Sequence, residues 1–147
     1  MKLKTFLTKR GFTNIPLKAN VVGHFEVEAK LNGAPIVLIL DTGASGTVID
    51  IGVAHLMELD LKLQDTQGGG VGSQKMDIHS FQAKSLVIGS MELTEIEIYA
   101  MDLSHARASL SERGADGEIH GILGADLLIP CEAVIDYAEK TLFLKPH

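Results

Sequence analysis

The chain has 147 residues, 46% of them hydrophobic and 22% charged, and carries a formal net charge of −6. Length and composition fit one globular domain and exclude a disordered or fibrous chain. The acidic balance, with no stretch supplying a clustered basic surface, argues against nucleic acid as a partner, because binding a phosphate backbone needs such a surface.

Residues 1–20 begin with Lys2 and Lys4, but Lys9 and Arg10 break the apolar run before a signal-peptide core develops. They are read as an N-terminal extension to a single domain over residues 21–147, without an export signal. No later run approaches the roughly 18 apolar residues of a membrane span, so a membrane is not an expected partner. Residues 24–31 alternate with period two, Phe25, Val27, Ala29 and Leu31 on one face, which predicts a half-buried strand. Asn32-Gly33 is a hairpin signal, and the five apolar residues 36–40 after Pro35 predict a strand buried on both faces.

Residues 47–50 read as a short strand and 53–59 as a short helix with Ala54 and Met57 facing inward. Residues 66–73 contain Gly68, Gly69, Gly70 and Gly72, a composition that cannot sustain a helix and suits a mobile hairpin tip. In residues 76–88 the apolar alternation changes phase twice, predicting a long bent strand with bulges. It returns through the turn at Gly89-Ser90 along residues 93–101. Residues 104–114 are either a short surface helix or a mobile loop, with the helix favoured. A strand over 119–123, a helical turn over Ala125–Leu128 stopped by Pro130, and a hairpin of 133–137 with 142–144 complete a mainly β chain with one or two short helices.

Asp41 is chemically conspicuous because it directly follows five apolar residues. A carboxylate buried without partners costs several kcal/mol, so hydrogen bonds or protonation must relieve it. Thr42 and Ser45 offer hydroxyls, and Gly43 lets main-chain N–H groups turn back toward the acid. The plain alternative is that Asp41 caps a tight turn, a common role for Asp beside Gly. Its position between two apolar strands favours a functional loop.

The run 38–45, Leu-Ile-Leu-Asp-Thr-Gly-Ala-Ser, resembles the signature of the retropepsin-like aspartic peptidases. Gly121-Ile122-Leu123-Gly124, with Ala125-Asp126-Leu127-Leu128 after it, is similar to that family's second motif. The likeness extends over residues 25–144 and implies a closed β-barrel. It implies Asp41 as the catalytic residue, with Thr42, Gly43, Ala44, Ser45, Ile122, Leu123 and Gly124 supporting its loop. It further implies that Gly68, Gly69, Gly70, Val71 and Gly72 form a flap over an extended peptide or protein substrate. Residues 1–20 fall outside the resemblance, and residues 103–118 are read as an insertion.

No second Asp-Thr-Gly or Asp-Ser-Gly occurs; Asp65-Thr66-Gln67-Gly68 lacks the turn glycine. The chemistry implied by the resemblance uses two carboxylates, so the reading requires a homodimer that pairs Asp41 with its symmetry mate. Cys131 is the only cysteine, which rules out an intrachain disulfide and a Cys-based zinc site and points to the cytoplasm. The six histidines lack metal-ligand spacing, and no metal or cofactor is expected. His120 precedes Gly121 and is kept in view as a residue able to alter the pH response of a nearby dyad. Asp126 and Asp136 are read as structural.

Gly68 to Ser73 superficially suggests a phosphate loop, but no Gly-Lys-Ser/Thr follows. Two alternatives stay open at this point. One is a retropepsin-like module that dimerises or binds peptides without catalysis; the other is a latent enzyme blocked by residues 1–20.

Overall fold

A computed structural model describes residues 1–64, 68–69, 75–106, 108 and 118–146, with 68, 69, 75 and 76 described by backbone alone. Six strands close into a ring. β3 (Phe25–Leu31) and β4 (Ala34–Leu40) form the expected hairpin, and Asn32 and Gly33 adopt φ of +48° and +86° at its tip. β4 lies parallel to β11 (Gly121–Leu123), which runs antiparallel to β5 (Val48–Asp50). β5 is parallel to β10 (Met91–Met101), β10 antiparallel to β9 (His79–Ile88), and β9 returns to β3.

The inward faces explain why the ring closes. Val27, Leu31, Leu38, Ile49, Leu86, Ile88, Ile98 and Leu123 are fully buried and pack as one core. Period-two alternation places such residues on one face of each strand. Short strands flank the ring: β2 (Lys18–Ala19) pairs with β3, and β6 (Lys62–Leu63) with β9. β7 (Gly68–Gly69) and β8 (Lys75–Met76) pair antiparallel as a separate two-stranded sheet.

Residues before 20 are woven into the fold. Helix α1 (Leu3–Lys9) buries Leu7, and β1 (Thr13–Pro16) pairs antiparallel with β13 (Thr141–Leu144), which also pairs with β12 (Val134–Asp136). Ile15 and Leu17 are buried. Gly89 packs so tightly beneath β1 that an added Cβ would stand 2.8 Å from Ile15 Cγ1. Ser90 Oγ and Thr13 Oγ1 are hydrogen bonded at 2.7 Å.

Three details differ from the sequence expectations. Helix α2 spans Ile51–Leu56, starting earlier because the Asp50 carboxylate accepts the Gly52 N–H and caps it. The long strand is interrupted at residues 77–78, which absorbs the first phase change. The second occurs within β9, between buried Ala83 and buried Leu86, without an extra residue: the register with β10 steps equally over Lys84 and Glu95. Glu95 takes φ +52° there, so both strands bend together. Backbone at 104–106 and at 108 is helical, while the rest of the expected 104–114 element lies outside the described residues.

Candidate active site

β4 delivers Asp41 at its end, and the chain then turns through residues 42–47 before entering β5. Asp41 N–H donates to Leu123 O at 3.0 Å, so β11 fixes where the acid leaves the sheet. Ala44 N–H donates to Asp41 O at 3.2 Å, closing the turn. The Asp41 carboxylate accepts the Gly43 N–H at 2.9 Å. A side chain at Gly43 would bring a Cβ 3.3 Å from that same Oδ1, closer than most such contacts.

The far arm of the loop is bonded to the second motif. Thr47, with no solvent exposure, donates through Oγ1 to Asp126 Oδ1 at 2.7 Å and accepts the Gly124 N–H at 3.0 Å. Ala125 N–H donates to Ala44 O at 2.8 Å. Gly124 has no room for a side chain, since a Cβ would lie 2.6 Å from Gly46 O and 2.9 Å from Ala44 O. Helix α3 (Ala125–Leu128) starts at this contact. Residues 41–47 and 121–126 are thereby brought into one unit from opposite ends of the chain.

The loop is more open than its apolar flanks suggest. Asp41 is half-buried, and Thr42, Gly43 and Ser45 are exposed. Among the described residues, only the Gly43 N–H reaches the Asp41 carboxylate; the Thr42 and Ser45 hydroxyls do not. Leu123, whose carbonyl accepts the Asp41 N–H, is fully buried, and Ile122 turns to the other face of β11.

Two hollows flank the loop. One, of about 570 Å³, is walled by Gly43, Val48, Ile78, Tyr99, Met101 and Ile122, with Asp126 at its edge. Its lining is largely apolar. The Tyr99 ring packs on Gly46, and its phenol is held above its ordinary pKa, first by the Glu97 carboxylate beside it and then by burial. The other hollow, of about 410 Å³, adjoins Thr42 and is lined by Ala125, Leu128, Ile129, Ala133 and Ile135, with Glu132 at its rim.

His120 lies away from both hollows. Its Nδ1 accepts the Val37 N–H at 2.9 Å, and its Nε2 stands 3.6 Å from Glu118 Oε2, in a separate cavity shared with Glu28 and Lys30. Gly68 and Gly69 pair with Met76 and Lys75, whereas Gly70, Val71 and Gly72 lie outside the described residues. Among the described residues, no group of three or more His, Cys, Asp or Glu stands together as a metal site. Sequence reasoning singled out neither Thr47 nor Tyr99. A Thr at the mouth of a buried strand, six residues after the acid, was the available signal for the first; Tyr99 had none beyond strand alternation.

The family model described as aspartyl protease matches residues 27–127. No curated protein sequence matches the chain. Among solved structures, a retropepsin-like aspartic protease from Rickettsia conorii is similar at a TM-score of 0.63 and 25% identity, covering 91% of this chain and 98% of that one. The EIAV protease complexed with the inhibitor HBY-793 gives 0.57 at 19% identity over 81% of this chain and 98% of its own. The retroviral protease-like domain of Ddi1 from Leishmania major gives 0.54 at 17% identity, over 81% and 86%. The last two likenesses concern the fold: a retropepsin-like closed barrel.

Proposed function

The chain belongs to the aspartyl protease family, and on that premise we propose that it is an aspartic endopeptidase whose active form pairs two copies through their Asp41 loops. The observation that carries this reading is the braced Asp-Thr-Gly loop, which presents one half-buried carboxylate at an open face. A single chain has one such acid, and the reaction needs two.

Two carboxylates about 3 Å apart repel by roughly 5 kcal/mol at an effective dielectric near 20, so the pair holds one proton between them. Aspartic proteases are a standard example of this effect. The ionised member takes a proton from water, whose oxygen attacks the peptide carbonyl carbon, while the protonated member donates to the carbonyl oxygen. Collapse of the tetrahedral intermediate then breaks the C–N bond as the nitrogen receives a proton.

The groove beside Thr42 supports pairing as well. Its apolar lining includes Ile129, which is 75% exposed in one copy and would be covered by a second. Thr42 would brace the two loops across the interface, and Gly68 to Gly72 would close over the substrate as a flap. The single, buried Cys131 fits a reducing compartment, the cytoplasm by this reading. No helix among the described residues is long and apolar enough to cross a membrane.

Asp41→Asn tests the assignment, since it keeps size and removes the ionisable acid. Loss of cleavage of a denatured protein substrate, with an unchanged melting temperature, is expected. Cleavage at the parental rate defeats the catalytic role. A parental protein that dimerises yet cleaves nothing is instead a dimerisation or peptide-binding module.

A further inference from the structure

The first 25 residues hold five cations, Lys2, Lys4, Lys9, Arg10 and Lys18, and no Asp or Glu. The rest of the chain then carries eight cations against 19 acids. A net charge of −6 conceals this polarity, which corrects the expectation that no stretch is basic: four of the five cations lie on or at the ends of α1, while Lys18 stands apart, opposite Glu26 in the β2–β3 pairing.

α1 is firmly anchored. Leu7 is buried beneath it, and its carbonyl accepts both the Arg10 N–H at 2.9 Å and the Phe12 N–H at 3.1 Å. The chain then pairs along β13. On the outer surface of this anchored turn, Lys2, Lys4, Lys9 and Arg10 are all exposed. So are Met1 at 86%, Leu3 at 44% and Phe6 at 38%. The Arg10 guanidinium carbon lies 4.6 Å from the Phe6 ring centroid, and Lys145 Nζ reaches over the Phe12 ring at 5.8 Å, adding a cation from the other end of the chain. β13, the strand beside β1, carries no acid to neutralise the patch.

A polyanion such as nucleic acid would engage the cations and leave Met1, Leu3 and Phe6 in water. An acidic bilayer surface takes both features: headgroups attract Lys and Arg, and the apolar side chains enter the boundary between headgroups and acyl chains. We propose that this N-terminal knob docks the protein on a membrane surface rich in anionic lipid. Such docking is association with a surface and needs no span. The sequence expectation of no membrane partner rested on the missing span alone. Neither the cleft beside Asp41 nor the groove beside Thr42 is lined by any residue of 1–20, so docking leaves both open.

Co-sedimentation of the full chain with phosphatidylcholine vesicles, with and without phosphatidylserine, tests the proposal. Binding is expected only with phosphatidylserine present, weakening as salt is raised. The triple variant Lys2→Gln, Lys4→Gln, Lys9→Gln should lose roughly a fivefold factor in affinity per cation removed. The double variant Leu3→Ser, Phe6→Ser should bind more weakly with its charge intact. All five positions are exposed, and circular dichroism of each variant checks that the fold is kept. No binding of the parental protein to phosphatidylserine vesicles at low salt overturns the proposal, as does undiminished binding by the triple variant. Full binding by the double variant, displaced by soluble polyglutamate, points to an acidic protein partner and overturns it too.

Discussion

The hydroxyl of Thr47 and the carboxylate of Asp126 meet at 2.7 Å, although 79 positions separate them in sequence. Because the same hydroxyl accepts the Gly124 N–H, one buried oxygen joins the acidic loop, the second motif and helix α3. Thr47→Val keeps the shape of the side chain and strands a buried N–H, which costs about 1–3 kcal/mol. Thr47→Ser retains the oxygen and should cost less. Urea unfolding of the two variants decides: a valine variant as stable as the serine variant means the hydroxyl does not brace the loop.

Ile129 offers a test of pairing that leaves the chemistry untouched. Ile129→Asp places a charge on the apolar groove beside Thr42, where a second copy would have to desolvate it. Sedimentation velocity should show a dimer fraction at least tenfold lower at equal concentration, with peptidase activity falling in step. A variant that dimerises like the parent moves the interface elsewhere.

Tyr99 gives a pH-dependent signature in the cleft. Glu97 and burial raise its phenol pKa, so the associated stability is fully present below the ordinary value of about 10 and is lost as pH rises through the folded one. Glu97→Gln should move the ionisation midpoint down toward that ordinary value. Phenolate absorbance in a Tyr137→Phe background follows the one remaining tyrosine; a midpoint that does not move assigns the perturbation to something other than Glu97.

The packing of β1 predicts that residues 1–20 cannot be removed without consequence. Ile15 is buried between the β13 pairing and the turn at Gly89. Ile15→Ala should cost about 2–5 kcal/mol, as large-to-small changes in a core do. Thermal unfolding measures it. A cost near zero would leave residues 1–20 free to act as a detachable inhibitory segment, the latent-enzyme alternative.

The barrel was readable because its signal is local. Alternation along residues 24–31 and 93–101, the Asn32-Gly33 turn and the double-sided apolar run 36–40 each declare a strand from nearest neighbours. The loop at Asp41 and its partner at Gly124 were legible as motifs, because glycine marks places where a Cβ cannot fit, and at Gly124 the clash with Gly46 O bears that out. The N-terminal elements were not legible. α1 has seven residues and β1 four, too few for a period to emerge, and β1 exists by virtue of pairing with β13, 125 to 131 positions away. Thr47 was missed for a related reason: its role depends on Gly124 and Asp126, which follow the neighbouring strand β11 and lie far away in sequence. The openness of Asp41 was also invisible, since apolar neighbours in sequence do not say how much of a loop a single subunit covers.

Parallel pairing of β4 with β11 has a consequence for how the protein comes into being. During synthesis the segment around Asp41 leaves the ribosome long before residues 121–126, its props, have been made. Contacts of such separation are slow to form, because a long loop must close before they contribute. The acid therefore remains unbraced until residues 121–126 have emerged, and the geometry of its loop is set by a segment made about 80 positions later.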